Sequence, residues 1–227
     1  MNQSTTNAFA NIPSASFPDL HLAAISASQG RCLPQWEASG AIYHISLHLG
    51  DSVPASERIA WLEARARIRE RLDDTLSPPT PFEREALVDE MREVYSARVE
   101  RFLAAGNGAC LLRDPRAADI VARVLEHDNA TRYALHAYTI MPNHIHVIVG
   151  GFGASGSLAT VLKEWKSITS HRVNALFARH GELWHRDAYT HIIRNAAEYK
   201  DQLDYVWHNP DAASLTDGYK RKSFIPR

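Results

Sequence analysis

The sequence predicts an α+β protein: an antiparallel sheet with helices packed on one face, plus a helical insertion. Three observations predict it: a run that alternates with the period of a strand, two strands joined by a tight Pro-Asn link, and long helical segments interspersed among them. The 227 residues are enough for one large domain or two small ones, and with 45% hydrophobic and 22% charged residues they have the make-up of an ordinary globular chain. Composition excludes a collagen, a low-complexity tract and a membrane bundle, and no uninterrupted apolar run is long enough to span a bilayer. The N-terminus has no basic start followed by an apolar stretch, so no secretory signal is read there and a cytoplasmic location is expected. Cys32 and Cys110 form no metal-binding pair by spacing, in keeping with a reducing compartment.

Residues 1–30, rich in Ser, Ala, Asn and Gln, show no sustained period and are expected to form a poorly ordered arm. From Gly40 the chain alternates, with Ile42, His44, Ser46 and His48 on one side and Tyr43, Ile45, Leu47 and Leu49 on the other, which is a half-buried strand. Past the turn-like Asp51-Ser52-Val53-Pro54, a charged amphipathic helix is expected from Ala55 to Leu76, broken by Pro78, Pro79 and Pro81. A second helix runs from about Pro81 to Leu103 before Gly106, and a third from Pro115 to His127. Residues of about 55–128 thus read as a helical insertion. Tyr133 to Tyr138 and His144 to Val149 read as strands, and Met141-Pro142-Asn143 between them makes a hairpin. A helix from Ser157 to His180, a strand from Trp184 to Ile193 and a last helix from Ala196 to His208, stopped by Pro210, complete the chain.

Net charge is −1 and the pI about 6.9, which argues against a protein that grips nucleic acid over its whole surface. The average hides an asymmetry. Residues 1–130 carry 13 Lys/Arg against 18 Asp/Glu, whereas residues 131–227 carry 12 against 8. Only the C-terminal part is suited to meet phosphate.

In His144-Ile145-His146 the two histidines project from one face of a strand, so both imidazoles can converge on one point, a metal-site geometry. In a chain with 12 histidines, two hydrogen-bonded histidines explain the pattern equally well. Tyr205 and Asn209, at i and i+4, share a face of the last helix, where a tyrosine beside Leu203 and Val206 also reads as a core residue with a wet tip. Between these motifs lie Lys163, Lys166, Arg186 and Arg194, interleaved with hydroxyl and aromatic residues. Such a set holds phosphates and stacks unpaired bases, though a solvated basic face fits the lysines equally and Trp184 and Trp207 read as packing residues.

The strings YTIMPNHIHVIV, LKEWKSITSHRVN, GELWHRDAYTHIIRN and EYKDQLDYVWHNP, in this order, resemble the REP-associated tyrosine transposases, a branch of the single-tyrosine HUH (IS200-like) transposases. The resemblance covers about residues 31–215, leaving 216–227 as a short basic tail with Lys220, Arg221 and Lys222. It implies a ferredoxin-like antiparallel sheet with a catalytic helix packed against it. It further implies His144 and His146 as ligands of a divalent metal, Asn209 as the polar residue completing that site, and Tyr205 as the nucleophile. The implied substrate is single-stranded or hairpin DNA of REP-like palindromic repeats, handled by a cytoplasmic, nucleoid-associated monomer or homodimer with no membrane partner. Two imidazoles and an amide oxygen would suit Mg²⁺ or Mn²⁺, which would assist a phenol whose unperturbed pKa of about 10 makes it a poor nucleophile at neutral pH. The expected chemistry is cleavage and rejoining through a 5′-phosphotyrosine, with Lys163, Lys166, Arg186 and Arg194 on the DNA backbone.

Two other readings have sequence arguments. A histidine-triad nucleotide hydrolase would need a third histidine where Ile148 stands. A domesticated, non-catalytic DNA-binding protein of the same fold is favoured by the acidic N-terminal part and opposed by the intact metal pair and Tyr205.

Overall fold

The computed structural model describes residues 26–28, 35–37, 40–152 and 157–225. The expected N-terminal arm lies outside the described residues apart from Ser26–Ser28, as does Cys32. Strand β1 (Ser26–Ser28) pairs antiparallel with β2 (Gln35–Glu37). The main sheet is built from β3 (Ile42–His48), β4 (Ala134–Ile140), β5 (His144–Gly150), β6 (Tyr189–Ile193) and β7 (Lys220–Ser223). Its order is β6-β3-β5-β4-β7 and every pairing is antiparallel. The helices are α1 (Ala55–Leu72), α2 (Pro81–Tyr95), α3 (Arg101–Ala104), α4 (Pro115–His127), α5 (Leu158–Leu176) and α6 (Ala196–Ala212). Among the described residues, no helix is long and apolar enough to cross a membrane.

Strands β3, β4, β5 and β6 with the crossover helices α4 and α5 make the ferredoxin-like arrangement. The period-2 alternation divides the sheet into two unlike faces. Tyr43, Ile45 and Leu47 of β3 and Ile145, Val147 and Val149 of β5 point to one side and pack with α4 and α5 into the main core. The opposite side carries His44, Ser46, His48, His144 and His146, and α6 lies across it, packing Val206 and Tyr199 on Ile42, Ile148 and Ile193. The β4–β5 hairpin closes where the Met141 amide donates to the His144 carbonyl at 2.8 Å, and the link is pinned from outside by Leu112 N–H on the Pro142 carbonyl and Leu49 N–H on the Asn143 carbonyl.

α1 and α2 have a small core of their own, in which Trp61, Ile68 and Leu72 meet Leu87, Met91, Tyr95, Val99 and Leu103. α4 belongs to the main core instead, through Ala117, Val121 and Leu125, although the sequence places it within the 55–128 insertion. α2 begins in a capping box, Thr80 N–H to Glu83 Oε2 (2.9 Å) and Glu83 N–H to Thr80 Oγ1 (3.3 Å). From α2 through to α3 the apolar residues 87, 91, 95, 99 and 103 recur every fourth position, whereas an α-helix turns every 3.6, so the stripe overruns by roughly 40° per step. A π-helical segment, Ser96–Glu100, takes up that drift between α2 and α3.

Besides α5, which ends at Leu176 rather than His180, four boundaries differ from expectation, each for a visible reason. α1 stops at Leu72 because Asp74 Oδ1 accepts from the amides of Leu76 and Ser77 and turns the chain early. β6 starts at Tyr189 rather than Trp184, since Lys166 Nζ takes the carbonyls of His185 and Arg186 at 3.1 and 2.9 Å. Lys220, Arg221 and Lys222, expected in a tail, form the edge strand β7 against β4, with Lys222 on Glu126 and Arg221 on Asp211. Pro210 does not stop α6, which continues to Ala212. Proline at 210 deprives the Val206 carbonyl of its helical donor, and the Thr139 hydroxyl of β4 donates to that carbonyl at 2.5 Å.

Candidate active site

The β3–β5 register sets Ser46 opposite His146 and His48 opposite His144, so the polar positions of both strands form one patch. Thr139 of β4 stands opposite His146 on the other side. All of these side chains are buried. A buried polar group must be hydrogen-bonded, and the bonds made here fix which nitrogen each imidazole offers. The Asn143 amide donates through Nδ2 to the Asn107 carbonyl (2.9 Å), which turns its Oδ1 toward His144 Nδ1 at 2.8 Å. His144 Nδ1 therefore carries the proton, and its Nε2 keeps the lone pair that a cation needs. His146 Nδ1 lies 2.8 Å from Ser46 Oγ and 3.1 Å from His44 Nε2, again leaving Nε2 for a ligand. The two rings are 4.8 Å apart and nearly perpendicular.

Burial disfavours the charged form of each imidazole. It lowers His144 to about 4, against a partial lift from a hydrogen bond with Asn209. His146 is driven well below its ordinary value by burial and then by His144 and His44. His44 is lowered to about 3 by burial and then by His191, opposed by a hydrogen bond with Gln202. With His48, which burial lowers to about 3, four neutral imidazoles therefore share this patch at physiological pH.

α6 brings Tyr205 onto the patch. Its ring centroid is 5.3 Å from that of His146 and 5.6 Å from that of His44, both edge-on. Asn209, one turn on, acts on both groups, its carboxamide favouring a proton on His144 and the anionic form of Tyr205. Tyr205 is 38% exposed, and its hydroxyl donates to Glu100 Oε1 at 3.3 Å. Burial, then the Glu100 charge and hydrogen bond, push the Tyr205 hydroxyl above the ordinary phenol range, against the Asn209 bond. Tyr205, His144, His146 and Asn209, sixty residues apart in sequence, thus meet within a single chain. Among the described residues, no three His, Cys, Asp or Glu side chains gather into a complete metal cluster, so the donor set is two imidazoles and a carboxamide. Two Nε2 atoms whose rings are held by Nδ1 from behind, with an amide beside them, fit a divalent cation that keeps positions open.

The four cations read from the sequence do not form one group. Lys166 is occupied as a tie between α5 and the carbonyls of His185 and Arg186. Arg186 is 67% exposed, 3.9 Å from Glu182. Both lie at the end of β6 near the His144/His146 pair, where the His185 amide bonds the His48 carbonyl and the two rings stack at 4.5 Å. Arg194, at the far end of β6, is held by Glu198 at 3.3 Å. Lys163 is exposed on α5, on the sheet face away from the histidines.

Four residues beside the site were not singled out from the sequence. His44 and Ser46 were visible in the alternation of β3, but their contact with His146 depends on cross-strand register. Arg58 lines a cleft with Trp61, His185 and Arg186, and its charge adds to the lowering of His185. Glu100 had one sequence signal, the four-residue apolar spacing that demands a widened turn there.

No family model and no curated protein sequence matches the chain. Among solved structures it is similar to a REP-associated tyrosine transposase bound to a REP hairpin, 15% identical, with 79% of this chain and 72% of that one covered and a TM-score of 0.41. It is also similar to a crystal structure described as that of a transposase from Deinococcus radiodurans R1, 14% identical, with 80% of this chain and 96% of that one covered and a TM-score of 0.32. Both identities are below a quarter and both TM-scores below 0.5, so the functional reading rests on this chain's own residues.

Proposed function

We propose that this protein is a transposase that cleaves and rejoins single-stranded or hairpin DNA, with Tyr205 as nucleophile, beside a divalent cation held by His144, His146 and Asn209. One observation carries the reading: Tyr205 and Asn209 on α6 meet the His144/His146 pair on β5, and both imidazoles have Nδ1 engaged and Nε2 available. A core tyrosine and two structural histidines would not need that common orientation.

In the proposed step Tyr205 Oη attacks the scissile phosphorus in line. The Oη–P bond forms, the P–O3′ bond breaks, and a 5′-phosphotyrosine and a free 3′ end result. Bound Mg²⁺ or Mn²⁺ would polarise the phosphate and offset its charge. Ser46 and Asn143 hold the two imidazoles by Nδ1, and Thr139 fixes the turn of α6 that carries Tyr205. A later attack by a 3′-hydroxyl on the phosphotyrosine restores the phosphodiester, so no nucleotide cofactor is required. Arg58 and Arg186, flanking the His185–His48 stack, are the cations best placed to guide a strand to this end of the sheet.

The test is incubation of the protein with REP-like hairpin oligonucleotides and Mn²⁺ or Mg²⁺. The expected product is a denaturation-resistant protein–DNA adduct and a shortened strand, both absent with Tyr205→Phe. DNA binding without an adduct under either metal would favour a non-catalytic DNA-binding protein. That second reading draws on the Glu100 carboxylate, an anion at the hydroxyl that a phosphate must approach.

A further inference from the structure

We propose that Glu100 takes the hydroxyl proton of Tyr205 as that tyrosine attacks phosphate, an inference that rests on Tyr205 being the nucleophile. The carboxylate reaches the reacting oxygen directly, with Tyr205 Oη donating to Glu100 Oε1 at 3.3 Å. It comes from a segment 105 residues earlier in the chain, outside the ferredoxin-like unit.

Its position is built. Glu100 closes the π-helical segment Ser96–Glu100, and the widened turn lets Val99 and Leu103 stay in the small core while the neighbouring Glu100 reaches α6. The same helix is fastened to the site by Tyr95, which stacks on Tyr189 of β6 at 4.8 Å with the rings nearly parallel. Tyr189 in turn sits edge-on to His44 at 6.4 Å. The inserted helices therefore form one wall of the site, and the side chain they are seen to place on Tyr205 Oη, among the described residues, is a carboxylate.

A phenol must release its proton as its oxygen bonds to phosphorus, and the acceptor has to be within hydrogen-bond reach. Nδ1 of His144 and of His146 is already engaged, with Asn143 and with Ser46 and His44, and their Nε2 atoms are the ones proposed to hold the cation. In the forward step the Oη–H bond breaks and the proton passes to Glu100 Oε1. The Oη–P bond forms, P–O3′ breaks, and the departing 3′ oxygen takes a proton from water. On rejoining, the incoming 3′-hydroxyl releases its proton to water, P–Oη breaks, and Tyr205 recovers the proton that Glu100 has held. No proton is gained or lost over the cycle.

The experiment is single-turnover adduct formation by the full chain on a REP-like hairpin with Mn²⁺, comparing wild type, Glu100→Gln, Glu100→Asp and Tyr205→Phe, with hairpin affinity and melting temperature recorded for each. Glu100→Gln keeps the size of the side chain and removes the basic oxygen. It should slow adduct formation by about 10²–10⁴-fold without weakening hairpin affinity, and Glu100→Asp should retain more of the rate. Adduct formation by Glu100→Gln at the wild-type rate would overturn the assignment. A loss of rate recovered at higher Mn²⁺ would overturn it as well, by making Glu100 a group that serves the cation. If wild type itself gives no Tyr205-dependent adduct, the functional reading falls and this inference with it.

Discussion

The Thr139 hydroxyl donates to the Val206 carbonyl at 2.5 Å, supplying the hydrogen bond that Pro210 removes from α6. Val206 precludes solvation of that carbonyl, being fully buried. Tyr205 is its neighbour in sequence, so this bond from the central sheet sets the stretch of helix on which the proposed nucleophile stands.

Thr139→Val should therefore leave a buried carbonyl unsatisfied and destabilise the protein by about 1–3 kcal/mol, lowering the melting temperature by roughly 2–4 °C per kcal/mol in a chain of this size. Adding Pro210→Ala returns a backbone donor at position 210. The double variant should regain part of the loss in thermal denaturation, and a double variant no more stable than Thr139→Val alone would show that the bond does not stand in for the missing amide.

Tyr205 lies against the histidine pair of its own chain. An equimolar mixture of Tyr205→Phe and His146→Ala should accordingly give no more adduct than either variant alone. Recovery of activity in the mixture, measured on denaturing gels, would mean that the tyrosine of one subunit serves the metal pair of another.

Lys166 and Arg186 are separated by role although both were expected on DNA. Lys166→Ala removes the ammonium from two carbonyls and should lower the melting temperature. Arg186→Ala, at an exposed residue, should leave melting unchanged while weakening hairpin binding and reducing the slope of log affinity against log salt by about one. Filter binding across a salt series distinguishes the two.

Acid should weaken the fold before its carboxylates are protonated. Burial lowers His48 to about 3 and His136 to about 4 from an ordinary 6.5. Below pH 6.5 the unfolded chain binds protons that the folded chain refuses, so stability is full above that value and falls as pH drops from 6.5 toward 4. Paired carboxylates such as Glu198, held below their ordinary 4.5, add their loss only at lower pH. Melting temperatures recorded from pH 8 to 5 should be level above 6.5 and decline below it, less steeply in His136→Gln. A level profile down to pH 5 would contradict the buried neutral histidines.

Much of this site was legible in the sequence because its two halves are local patterns. His144 and His146 are two apart on a strand, and Tyr205 and Asn209 four apart on a helix, so each pair shares a face whatever the rest of the chain does. The β4–β5 hairpin and the helix α5 were legible for the same reason, whereas the place of α4 in the main core rather than in the insertion was not. What escaped depends on partners distant in sequence. The continuation of α6 past Pro210 needs a hydroxyl 67 residues away, and the edge strand Lys220–Ser223 needs the free rim of β4. The role of His44 needs a register that no single strand encodes. Glu100, amid the charges of an amphipathic helix, looks solvated until the four-residue spacing of its apolar neighbours is traced through the π-helical turn.

The sheet assigns its two duties to opposite sides. Between β3 and β5 and the helices α4 and α5 the contacts are apolar, from Tyr43 and Val149 to Leu125 and Val161. Across the sheet, under α6, His144 and His146 both fill space and serve the proposed chemistry. Heat tolerance can thus be engineered on the first side, one strand-thickness from any reacting group, by repacking aliphatic side chains. On the second side a stabilising exchange of His144 or His146 for an aliphatic residue would trade the proposed reaction for robustness.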